Sequence, residues 1–271
     1  MVEFRDVILG EDVAEGLYIV QELCGDNFIL VGAAARDIIL EKHGLSPERA
    51  TRDADLAIRI KNWEIYAELR LKLIKKGFQQ TRTQYNFTFK RAIFDIIPFG
   101  EIATEKSEIL WPQDGKVMNM LGFEEAFNTS PRFTTKKNLK VRIASLASLV
   151  MLKTIAWKDR PRERTQDPLD IRTIISNYLD AGNFERFYDE HSDLVDMEPY
   201  TIERGGAALL GRDLLLLCSK DTLARVTSIL KAELDNSQNS LFFRQMSTSD
   251  ADPLHVELIQ ILLKETAKSR V

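Results

Sequence analysis

Three aspartates and one glycine carry the chemistry legible in this chain. In Thr51-Arg52-Asp53-Ala54-Asp55-Leu56-Ala57-Ile58 the two acids are separated by one residue. On an extended strand side chains alternate between faces, so Asp53 and Asp55 project together while Ala54, Leu56 and Ile58 pack on the other side. Two adjacent like charges are costly unless a cation lies between them, and Mg²⁺ suits a small all-oxygen site because it also takes phosphate oxygens and waters. A third acid, Asp95, interrupts the apolar run Ile93-Phe94-Asp95-Ile96-Ile97-Pro98. A lone buried charge there costs several kcal/mol, so Asp95 is expected to face the same cation or a reacting hydroxyl. Gly32 follows Asn27-Phe28-Ile29-Leu30-Val31 and precedes Ala33-Ala34-Ala35-Arg36-Asp37. A tight turn at that glycine admits close backbone approach, and the N–H groups of Ala33 and Ala34, opening the next helix, attract anions.

The elements needed to hold these groups follow from the surrounding pattern. Residues 27–58 read as strand, turn, helix, loop and strand. Val13, Leu17, Val20 and Leu23 predict an amphipathic helix before it. A second helix runs from Trp63 through Ile74 and stops at Gly77, with Lys75 and Lys76 in its last turn. Gln84–Phe89 and Arg91–Ile97, rich in aromatic and branched residues, predict paired strands. Together these make a helix-flanked mixed sheet with the three carboxylates at one end. Between Glu101 and Arg142 the turn signals Trp111-Pro112, Asp114-Gly115 and Ser130-Pro131 predict short strands.

Composition sets outer limits. The 271 residues, 44% hydrophobic and 29% charged, suffice for one large or two modest domains with ample core. A net charge of −4 argues against broad electrostatic attachment to nucleic acid, leaving room only for a local basic surface. Cys24 and Cys218 are too few for a disulfide framework, the opening Met1-Val2-Glu3-Phe4-Arg5 does not read as a signal peptide, and no apolar run is long enough for a bilayer. A cytoplasmic protein without a membrane partner is expected. His43, His191 and His255 lack ligand spacing, so zinc is not.

The second half is mainly helical. In Ile143 through Trp157, Lys153 is the single charged residue and shares a helical stripe with Leu146, Val150 and Trp157. It must either snorkel to the surface or meet an anion, and a compact ammonium suits a nucleotide phosphate. Asp167 precedes Pro168 where a helix begins, which is ordinary capping chemistry. The acid-free stretch Phe133–Arg142 reads either as a lysine-protected edge strand or as a rim for a polyanion. Leu209–Cys218, Leu223–Leu234 and Leu254–Leu263 predict helices, with Asp235–Asp252 as a connection. Gly206-x-x-x-x-Gly211 imitates a phosphate loop, but Arg212-Asp213 stands where Lys-Ser/Thr is required.

The order Gly turn, Asp53-x-Asp55, lone Asp95 resembles the polymerase-β-type nucleotidyltransferase superfamily. Val31–Asp37, Arg49–Asp55 and Phe94–Gly100, followed by Leu152-Lys153, Ala156-Trp157, Asp159-Arg160, Arg164 and Asp167-x-x-Asp170-Ile171, look most like its AbiEii/AbiGii-type members. One departure stands out: the superfamily usually has Gly-Gly or Gly-Ser where this chain has Gly32-Ala33, so a hydroxyl contact to phosphate is absent.

The resemblance implies an α+β fold, with a mixed-sheet nucleotidyltransferase core over residues 1–142 and a helical domain over 143–271 that contributes Lys153, Asp167 and Asp170 to the cleft. It implies catalytic, metal-holding roles for Asp53, Asp55 and Asp95, and nucleotide contacts from Gly32, Ala33, Ala34, Arg36, Lys153, Asp167 and Asp170. The expected reaction moves NMP from an NTP to a hydroxyl acceptor, tRNA or protein, with two Mg²⁺ ions and release of pyrophosphate. The group includes toxins, so a cognate antitoxin is an expected partner. A tRNA 3′-end (CCA-adding) enzyme shares the glycine motif, but no second Arg/Asp template motif is visible. A catalytically silent nucleotide-binding or regulatory module is disfavoured by the intact acids.

Overall fold

The computed structural model describes residues 3–4, 10–46, 53–135, 139–247 and 250–268. Arg49–Arg52 and Lys136–Asn138, parts of the motifs quoted above, lie outside the described residues, as do Met1, Val2 and Arg5. The chain forms two compact units, one of residues 1–42 and 46–145, the other of 43–45 and 146–271.

The first unit runs in order β1 (Glu3–Phe4), α1 (Glu11–Cys24), β2 (Phe28–Val31), α2 (Gly32–Lys42), β3 (Asp53–Arg59), α3 (Trp63–Lys75), β4 (Gln79–Gln80), β5 (Asn86–Phe89), β6 (Ala92–Phe99), β7 (Glu108–Leu110), β8 (Val117–Asn119), α4 (Phe123–Thr129), β9 (Arg132–Thr135) and β10 (Lys140–Ile143). Among the described residues eight strands make one mixed sheet in the order β1-β9-β10-β2-β3-β6-β5-β4, and β7 and β8 form a separate pair. This is the α+β architecture expected. β2 pairs antiparallel with β3, and β3 pairs parallel with β6 across the α3 crossover.

Alternation decides which face is covered. Ala54, Leu56, Phe94 and Ile96 are fully buried on one face. There α1 lies so close that a Cβ on Gly16 would stand 2.3 Å from the Phe94 ring, and the α3 residue Tyr66 donates its hydroxyl to the Ile96 carbonyl at 2.7 Å. The acids occupy the opposite face. At its far end α4 packs Phe127 on Phe99, with ring centres 5.6 Å apart, and Arg59 pairs with Glu124. The short α4 was not expected from sequence. Its seven residues carry too little periodicity, and its stability comes from burying Ala126 and Phe127.

The second unit is helical: α5 (Leu146–Asp159), α6 (Gln166–Ser176), α7 (Phe184–Glu190), α8 (Ile202–Leu217), α9 (Lys220–Asp235), α10 (Leu241–Ser247) and α11 (Pro253–Thr266). Side chains of Thr201, Ser219 and Asp252 cap α8, α9 and α11. α10 falls where a connection was expected, because Phe242, Phe243 and Met246 bury one face of a helix only seven residues long. Among the described residues no helix is long and apolar enough to cross a membrane.

Candidate active site

The site starts at the β2–α2 junction. All four residues of β2 are buried, and the chain turns directly into α2 through Gly32 at φ +71°. A side chain there is excluded twice: the conformation is left-handed, and a Cβ would stand 1.9 Å from Asp55 Oδ2. The Asp55 carboxylate therefore rests against bare backbone where α2 begins. That end of the helix carries partial positive charge and N–H groups with no acceptor inside the helix, which favours an anion. Gly32 and Ala33 are half-buried and Ala34 is buried.

Register supplies the rest. Asp55 lies opposite Val31 on β2 and opposite Asp95 on β6. Partners across a sheet point to the same face, and neighbouring strands are about 4.8 Å apart, so Asp55 and Asp95 project side by side. Asp53, two residues earlier, shares their face and is exposed. The structure thus places the three aspartates on one face of the sheet, and brings Asp55 beside Asp95 and against the Gly32 turn. On the far side of β6, Asn86 of β5 lies opposite Asp95 and donates its Nδ2 to Asp95 Oδ1 at 2.6 Å.

Among the described residues no group of three or more His, Cys, Asp or Glu converges as a ready-made metal site. The donor set nonetheless fits Mg²⁺, which keeps several waters and is bound through one or two carboxylates plus substrate phosphates rather than by an all-protein cage. Asp55 and Asp95 make such a pair, with Asp53 beside them.

The remaining expected residues are engaged with neighbouring side chains. Arg36 is buried on α2, its Nε donating to Asp37 Oδ1 at 2.8 Å. In the second unit, Lys153 does not snorkel. It is buried, with Nζ 3.1 Å from Asp167 Oδ1 and 2.5 Å from Asp170 Oδ2. Burial alone would pull the Lys153 pKa down, but the two carboxylates outweigh it and hold the pKa above the ordinary lysine value. Arg164 reaches Asp167 at 3.4 Å. Asp167 lies inside α6, whose N-cap is Thr165. At the end of the basic stretch Arg142 lies 4.6 Å over the Phe127 ring, and Arg132, just before it, pairs with Asp26 at 3.4 Å.

Asn86 escaped sequence reasoning. Its signal was the short β5–β6 hairpin, since pairing Phe89 with Ala92 places residue 86 opposite 95.

A family profile described as "Nucleotidyl transferase AbiEii toxin, Type IV TA system" matches residues 17–246. The chain belongs to this family. It is accordingly a nucleotidyltransferase, and the match spans both the sheet with its acids and the helices through α10. No protein of curated function matches the chain in sequence. Among solved structures it is similar to the antibiotic-resistance factor ANT(2'')-Ia, at 14% identity and a TM-score of 0.34, over 67% of this chain and 97% of that one. A likeness that loose bears on neither site nor substrate.

Proposed function

We propose that this AbiEii-family chain moves NMP from an NTP to a hydroxyl acceptor and releases pyrophosphate, using Asp53, Asp55 and Asp95 on the open face of its sheet. The observation that carries this reading is the alignment of Asp55 with Asp95 across β3 and β6, with Asp55 seated against Gly32. Mg²⁺, as two ions held by Asp53, Asp55 and Asp95, would screen the triphosphate and make the acceptor hydroxyl more acidic. The backbone at Gly32, Ala33 and Ala34 binds triphosphate oxygens at the helix start. Asp95 completes the ligand set or takes the hydroxyl proton as the acceptor oxygen attacks the α-phosphorus. The bond from that phosphorus to the bridging oxygen then breaks and pyrophosphate leaves.

We assign the Lys153–Asp167–Asp170 cluster to the stability of the helical unit, because two carboxylates already neutralise the ammonium; a phosphate would have to displace one of them. Arg36, bonded to Asp37, is assigned to holding α2. The acceptor we propose is tRNA or protein, in the cytoplasm, with growth inhibition relieved by an antitoxin. Family membership supports the toxin role by analogy only.

Incubation with each labelled NTP, Mg²⁺ and either total RNA or cell lysate tests the reading directly. Label should pass to one class of acceptor with the wild type and be lost with Asp55→Ala. Transfer that survives in Asp55→Ala would overturn the assignment of the site.

A further inference from the structure

We infer that Asn86 is a positioning residue that fixes the Asp95 carboxylate for the reaction, an inference resting on the role proposed above for Asp95. Three observations carry it. The Nδ2–Oδ1 bond is short, 2.6 Å, as an amide donating to a charged carboxylate should be. The pair also sits where side chains on adjacent strands come closest. The Ile96 N–H donates to the Tyr85 carbonyl at 2.7 Å, so the next pair, Asn86 with Asp95, falls at a non-hydrogen-bonded position of the antiparallel ladder, with Cα atoms about 4.5 Å apart.

The donor itself is held. The Asn86 carbonyl accepts from the Thr81 N–H at 3.0 Å, and its own N–H donates to the Thr83 carbonyl at 3.2 Å. Both backbone groups of Asn86 therefore close the loop between β4 and β5, and the side chain starts from a fixed base. The amide bond to Oδ1 thereby fixes the orientation of the Asp95 carboxylate. Carboxylates that bind metals commonly rely on such outer partners, whose loss lowers metal affinity or activity about 10- to 100-fold.

The test uses the full chain and Asn86→Leu, which keeps bulk and removes the donor. Mn²⁺ binding is followed by electron paramagnetic resonance, and kcat and NTP KM are measured beside a thermal melt, with Asp95→Asn as the control. The expected result is a Mn²⁺ Kd raised about tenfold, kcat lowered about 10- to 100-fold and NTP KM within about twofold in a protein that melts as the wild type does. If Asn86→Leu fails to fold, Asn86→Ala serves with the same outcomes. Unchanged Mn²⁺ affinity and kcat, with Asp95→Asn inactive, would overturn the role of Asn86 while leaving that of Asp95 standing. Near-normal turnover in Asp95→Asn would overturn both.

Discussion

Replacing Lys153 by Met keeps length and suits the apolar stripe of α5, yet the structure predicts that it destabilises the protein. The ammonium lies 3.1 Å from Asp167 and 2.5 Å from Asp170, and the three side chains are only 10%, 7% and 8% exposed, so solvent screens little. Removing one partner of a buried ion pair costs about 3–5 kcal/mol. Arg164 stays 3.4 Å from Asp167, which compensates one of the two acids and points to the lower end, about 3 kcal/mol. That corresponds to roughly a 10 °C fall in melting temperature for a chain of this size.

The pH dependence has a defined sign. The folded-state pKa of Lys153 is raised above its ordinary 10.5. Its stabilising contribution is therefore fully present below about pH 10.5 and is lost only as pH climbs through the higher folded value. Urea titrations of wild type and Lys153→Met should show a constant gap from pH 7 to about 10 that closes above it. Adding Asp170→Asn to Lys153→Met should recover part of the loss, because a neutral amide no longer needs the cation. A Lys153→Met protein as stable as the wild type at pH 7 would refute the reasoning.

Gly32→Ala should act on the site more than on the fold: the new Cβ pushes the Asp55 carboxylate from its seat, so turnover should fall at least about 100-fold, a barrier of about 2.7 kcal/mol, for a stability loss of about 1–2 kcal/mol from the left-handed backbone. Steady-state rates beside a urea curve check both halves, and near-normal turnover would sink the idea. Asp53→Ala or Asp55→Ala should abolish transfer with little loss of stability, since each relieves a pair of like charges; melts and labelled-NTP assays read the two effects. Burial pushes the Cys24 thiol from 9.0 up to about 12, despite Lys72 nearby. Its thiolate should thus be roughly 100-fold or more scarcer than that of a free thiol at pH 8, and rapid reaction of folded protein with a thiol reagent at that pH would contradict this.

Much of the candidate site's face is legible in the sequence because period-two alternation is a local property. Asp53 and Asp55 flank Ala54, and Asp95 sits among Phe94 and Ile96, so their common face follows once both segments are strands. What the local pattern cannot carry is the pairing of separated strands. The register of Asp55 with Asp95 spans a helix and a hairpin, and Asn86 is invisible until that hairpin is closed. Lys153 shows the same limit. Its isolation on an apolar stripe announces a need for an anion, but the supplier is a pair of acids on the following helix, one of which reads locally as an ordinary helix-start residue. Short elements are lost for another reason. α4 and α10 have seven residues each, too few for a repeat to emerge, and they exist by virtue of what they pack against.

The contact between Gly32 and Asp55 changes the meaning of the alanine that follows the glycine. A serine at position 33 would add a hydroxyl, but the seat of the carboxylate is made one residue earlier, by an atom that is not there. A side chain at 33 meets no such exclusion, whereas any side chain at 32 displaces the Asp55 carboxylate from its seat.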